Sequence, residues 1–63
     1  MTLEKLLERI RAEFDEMPGL VLTIPQASRF FGIDDKTTHT VVSRLVDASY
    51  LRWTHRGTIA RAA

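Results

Sequence analysis

Lys36, His39, Thr40 and Ser43 are the side chains of this sequence best placed to do chemistry together. At helical spacing they share one arc of the segment that follows Asp34, and Val41, Val42 and Leu45 fall outside it. An ammonium group, an imidazole and two hydroxyls supply the mixture of donors and acceptors that reads base edges in a nucleic-acid groove. The run Thr37-Thr38-His39-Thr40-Val41-Val42 is a poor choice for helix stability, because β-branched side chains lose χ1 freedom in a helix. The polar face is therefore not tuned for helix stability; it is either a ligand-facing surface or an ordinary solvated one.

Other chemistries find little support. His39 and His55 fall on different expected elements and form no ligand pair at i, i+4 spacing, so no metal site is expected. With no cysteine, disulfides and thiolate zinc sites are excluded. No glycine-rich phosphate loop and no Ser-His-Asp arrangement can be argued. Asp34 and Asp35 are paired carboxylates, but a helix cap accounts for Asp34 without chemistry. A chain of 63 residues is also small for a water-excluding pocket. The expectation is a binding module, not an enzyme, with no cofactor. The apolar run from Gly19 to Leu22 is too short to cross a membrane, and no signal-peptide pattern is present, so a cytoplasmic protein is expected.

Charge divides along the chain. Residues 1–35 carry four basic and seven acidic side chains, a net −3, whereas residues 36–63 carry five basic ones against Asp47 alone, a net +4. Such asymmetry points to a polyanion as partner of the second half.

The elements that must position these residues follow from periodicity and caps. Leu3, Leu6, Leu7, Ile10, Phe14 and Met17 fall within an arc of roughly 100° and predict a first helix over 3–17. Thr2 is its N-cap and Pro18-Gly19 its stop. Val21-Leu22 is a short extended piece. Thr23-Ile24-Pro25-Gln26 matches a capping box with proline in the first turn, which predicts a second helix over 24–31 with Ile24, Ala27, Ser28 and Phe31 on one face. Gly32 breaks it, and Asp34 caps a third helix over 35–48 with Thr38, Val41, Val42 and Leu45 inward. Residues 50–60 alternate about a basic tip at His55-Arg56-Gly57, a hairpin pattern. The expected fold class is α+β, mostly helical, as a single domain of three helices plus a small two- or three-stranded antiparallel hairpin unit.

The spacing Ser28, Gly32, Thr38, Val41 has a physical meaning in each slot: a small residue for a close crossing, a glycine for a sharp turn, and two inward contacts that hold the later helix on the earlier one. The stretch from Thr23 to Gly57, and with it nearly the whole chain, resembles the winged helix-turn-helix domain of bacterial transcription regulators. That resemblance implies a positioning helix over 24–31, a recognition helix over 35–48, and a wing over 50–60 with Val21-Leu22 as its third strand. It implies sequence-specific binding of double-stranded DNA and transcriptional regulation. Lys36, His39, Thr40 and Ser43 would then contact bases, and Arg29, Arg44, Arg56 and Arg61 phosphates. Two positions depart from the pattern. Ser49 stands where glycine usually lets the chain turn left-handed, and Thr38 stands where an aliphatic is usual. The alternative is a winged-helix protein-interaction module without DNA binding. Phe30 and Trp53 either pack onto the first helix or anchor a partner, and any homodimer would reuse the first helix or the hairpin.

Overall fold

Three helices each start at a residue whose side chain satisfies an otherwise orphaned backbone N–H. The structure, a computed structural model, describes residues 2–62. Its elements run α1 (Leu3–Glu16), β1 (Val21–Leu22), α2 (Ile24–Phe31), α3 (Asp35–Asp47), β2 (Leu51–Trp53) and β3 (Ile59–Arg61). Thr2 Oγ1 accepts from the Lys5 N–H at 3.2 Å. Thr23 and Gln26 form a reciprocal capping box, with the Thr23 hydroxyl accepting at 3.2 Å and the Gln26 carbonyl at 3.0 Å. Asp34 Oδ1 accepts from the Thr37 N–H at 2.6 Å. Hydrogen bonding from Thr37, through its side chain and then its backbone, holds the Asp34 carboxyl below its ordinary value of 3.8.

The chain leaves α2 and α3 through different residue types but the same left-handed geometry. α2 stops at Gly32, whose φ of 68° is left-handed, and the Ile33 N–H donates back to Ser28 O at 3.0 Å. Past α3, Ser49 takes a φ of 62°. The Ser49 N–H reaches Val46 O and the Tyr50 N–H reaches Leu45 O, both at 2.9 Å, the paired bonds of a Schellman ending. A non-glycine residue in that conformation costs about 1 kcal/mol. α1 and α3 each end one residue short of the sequence expectation, with Met17 and Ala48 as C-caps.

Leu6, Ile10 and Phe14 of α1 meet Ala27 and Phe31 of α2, Val41, Val42 and Leu45 of α3, and Leu51 and Ile59 of the sheet in one buried cluster. Leu3 and Met17, expected in the α1 stripe, are exposed: they lie on the right side of the helix but overhang the ends of the core. Where α2 and α3 cross, Ser28 Oγ and Thr38 Oγ1 lie 2.8 Å apart and buried. Ser28 Oγ is also 2.9 Å from Ile24 O, and Thr38 Oγ1 2.8 Å from Asp34 O. Two hydroxyl protons serve these three contacts, so one hydroxyl donates to the other, which donates to a helix carbonyl. In either arrangement Thr38 is bonded across the crossing and neither hydroxyl is orphaned; among the described residues no buried side-chain nitrogen or oxygen lacks a partner.

The three strands form an antiparallel sheet in the order β1-β3-β2. Val21 pairs with Ala60 and Leu22 with Ile59; on the other edge Leu51 pairs with Arg61, Arg52 with Ala60, and Trp53 with Ile59. This is a mostly helical α+β fold, consistent with a winged-helix layout. Among the described residues no helix is long and apolar enough to cross a membrane.

Candidate nucleic-acid interface

α3 is held by its inward face, on which Thr38, Val41, Val42 and Leu45 are buried. Its outward arc is then determined. Lys36, His39, Thr40 and Arg44 are exposed and Ser43 is half-buried, so the four expected base-contacting residues share one open surface. Asp47 is also exposed on this arc, at the C-terminal end, which leaves the N-terminal two-thirds of α3 as the part free of acid beyond its cap region.

The polar groups on the arc are partly committed. Thr40 Oγ1 donates to Lys36 O at 3.1 Å, so toward a ligand it offers acceptor lone pairs and a methyl group. Ser43 Oγ lies 3.5 Å from His39 Nδ1, at the outer limit of a hydrogen bond. If the hydroxyl donates, the outer His39 nitrogen carries a proton and donates; in the other tautomer it accepts.

After the left-handed turn at Ser49, β2 runs back along α3. This brings the Trp53 ring to 5.9 Å from the His39 ring at an interplanar angle of 34°. Trp53 thus packs beside α3 and keeps 38% of its surface exposed. Strand alternation explains the side it faces, but at the sheet edge that side meets α3. Beyond it, a hydroxyl network orders the wing turn. Thr54 Oγ1 lies 2.6 Å from Thr58 Oγ1 and accepts from the Arg56 N–H at 3.2 Å, while the Gly57 N–H donates to Thr54 O at 3.0 Å. Gly57 is left-handed at a φ of 76°, and Arg56 stands exposed at the tip.

The expected phosphate-binding arginines do not all meet. Arg44 lies at the flank of the exposed α3 arc, Arg56 stands at the hairpin tip, and Arg29 is exposed on α2 beside the start of α3, in a shallow depression with Asp34 and Asp35. Arg61 is elsewhere. Its guanidinium lies 3.5 Å from Asp15 of α1, the one ion pair among the described residues. Tyr50 shares that carboxylate: its hydroxyl donates to Asp15, and Arg11 stacks 4.5 Å from the ring centroid. The bond to Asp15 pushes the Tyr50 hydroxyl above its ordinary value of 10.0. On α1, Arg9 likewise turns inward, with a long 3.4 Å bond to Phe31 O and its guanidinium 5.8 Å from the Phe31 ring.

Sequence reasoning missed Arg52, exposed on β2 one residue before Trp53, and the His39–Trp53 contact. A signal for Arg52 was present: residues 48–63 hold three arginines and no acid. Phe30 is 46% exposed, with its ring edge-on to Phe31 at 5.0 Å, so it is not a core residue. His39 and His55 lie on α3 and in the wing turn, and among the described residues no three potential metal ligands come together. Comparison with family models, with curated proteins and with solved structures returns no match.

Proposed function

We propose that this chain is a winged helix-turn-helix module that binds double-stranded DNA with sequence preference and serves transcriptional regulation. The observation that carries the reading is the exposed arc of α3, where Lys36, His39, Thr40 and Ser43 face outward beside a hairpin whose arginines Arg52 and Arg56 have no ion-pair partner among the described residues. A helix about 10–12 Å across fits a major groove about 12 Å wide. In that position Lys36 donates to guanine O6 or N7, and Thr40 accepts from an exocyclic amine or meets a thymine methyl. Ser43 and the outer nitrogen of His39 complete the set. Arg44, Arg56 and Arg29, joined by Arg52, neutralise phosphates on either side of the groove. Arg61 is left out of this set because Asp15 already holds it.

A protein-docking module remains the second reading, favoured by the exposure of Phe30. Selection from a random duplex library, followed by binding of the recovered and random sequences, separates the two. Alanine at Thr40 or Ser43 is expected to narrow the gap between preferred and random DNA by about 1 kcal/mol or more, without altering the salt dependence. A folded protein for which selection returns no preferred sequence contradicts base reading by α3.

A further inference from the structure

Trp53 is the single tryptophan of the chain, and it stands on the edge strand β2, where it remains 38% exposed. The core closes without it, through Leu51 and Ile59 of the sheet and the three helices. Its position is nonetheless defined, because the His39 ring of α3 lies beside it at 5.9 Å and Ser43 stands next to that ring. Arg52 precedes it in the strand and Arg56 follows at the wing tip, both exposed and outside any ion pair among the described residues. A fixed, partly open indole between cations is suited to a ligand that combines a flat apolar face with a phosphate backbone. Inside a duplex both faces of each base are covered by its neighbours, and a terminal pair exposes one face that its partner strand holds in place. An unpaired base has a free face, and aromatic side chains flanked by basic ones bind such bases with little regard to sequence.

We propose that Trp53, backed by His39, is a stacking seat for one unpaired nucleobase, so that the protein binds duplex DNA carrying a single-stranded tail more tightly than the same duplex with blunt ends. The duplex part of this inference rests on the function proposed above; the seat itself does not. Arg52 and Arg56 would track the backbone of the tail as it leaves the duplex, and the α3 arc would hold the paired part.

Because the chain has one tryptophan, its emission reports this site alone. Three probes suffice: a blunt duplex, the same duplex with a thymidine overhang, and the overhang strand alone. The tailed duplex is expected to bind about tenfold more tightly than the blunt one, the size of a single base–aromatic stack, and to quench Trp53 emission where the blunt duplex does not. Trp53→Leu is expected to lose that tenfold while retaining blunt-duplex affinity and an unchanged circular dichroism spectrum, and Trp53→Phe to keep part of it. Should Trp53→Leu fail to fold, the unmodified protein decides the matter through quenching and the tailed-to-blunt ratio. Equal affinity for tailed and blunt duplexes, or no quenching by any probe, overturns the seat and leaves the duplex reading standing. Binding of the single strand as tightly as the tailed duplex, with none of the blunt duplex, upholds the seat and overturns the duplex reading.

Discussion

Arg56, in the turn before β3, and Arg61, the last residue of β3, meet opposite surroundings. Arg61 is half-buried against α1, 3.5 Å from an Asp15 carboxylate that Tyr50 also engages, with Arg11 stacked over the Tyr50 ring. Arg56 stands at the tip of a turn ordered by Thr54 and Thr58, exposed and outside any ion pair among the described residues. The same contrast holds for the surfaces around them. On the α1 side, Arg61, Arg9 and Arg11 are matched to a carboxylate, a carbonyl or an aromatic face, and they tie the sheet and α2 to α1. On the α3–wing side, Lys36, Arg44, Arg52 and Arg56 project without such partners among the described residues. Charge on the first surface contributes to holding the fold, and charge on the second is free to meet an anion.

The largest effect should come from testing the two arginines on both readouts. Arg56→Ala is expected to weaken binding to every DNA sequence by about tenfold, the loss of one charge-assisted phosphate contact, with the melting temperature unchanged. Arg61→Ala is expected to leave DNA affinity within about twofold. If Arg61→Ala instead weakened DNA binding as Arg56→Ala does, Asp15 would be releasing it to the ligand and the contrast would collapse.

Next in size is Ser49→Gly, at the joint between α3 and the wing. Its hydroxyl makes no hydrogen bond among the described residues, and its φ is 62°. The substitution is expected to raise stability by about 1 kcal/mol in denaturant unfolding while leaving DNA affinity unchanged. A destabilised variant would show that the serine side chain contributes to the ending. Smaller still is the stability cost of Arg61→Ala, about 0.5 kcal/mol or less, because the ion pair it breaks is largely solvated.

The smallest effects separate the two surfaces by pH. The Tyr50 hydroxyl titrates above 10.0 in the folded chain, so its bond to Asp15 stabilises fully below pH 10 and is lost as the pH rises through the raised value. Melting curves of Tyr50→Phe should therefore converge with those of the unmodified chain at high pH. At the other end, Asp34 is lowered from 3.8, so the stability that its ionised cap gives α3 is present above that value and declines as the pH falls through the folded one. Asp34→Asn, which preserves the cap without the titration, should flatten the acid limb of the melting curve. Parallel acid limbs would place the titration elsewhere.

The local parts of this fold were legible because single residues carry them. Thr23 with Gln26, Gly32 and Asp34 each act within a few residues of themselves and stand where local rules put them, whereas the left-handed turn at Ser49 was legible only through the resemblance. Periodicity likewise gave the inward faces, since it reports direction about a helix axis. It does not report how far along the axis the core extends, which is why Leu3 and Met17 were expected inside and lie exposed. In the candidate interface, the arc of Lys36, His39, Thr40 and Ser43 follows from helix geometry alone. The partners of Arg61 and Trp53 do not, because Asp15 and His39 reach them only once β2 and β3 are laid against α1 and α3. Alternation along 50–60 told which side Trp53 faces, but nothing in the sequence order told which helix waits there.

The unpaired cations of the α3–wing surface make one quantity decisive. Fluorescence anisotropy of a labelled duplex, titrated at several salt concentrations, gives the slope of log K against log salt. With three or four phosphates neutralised by Arg29, Arg44, Arg52 and Arg56, that slope should lie at about −2.7 to −3.6. A slope near zero, or no binding at low salt by a protein that remains folded, would contradict a DNA-facing surface and move the assignment to protein docking.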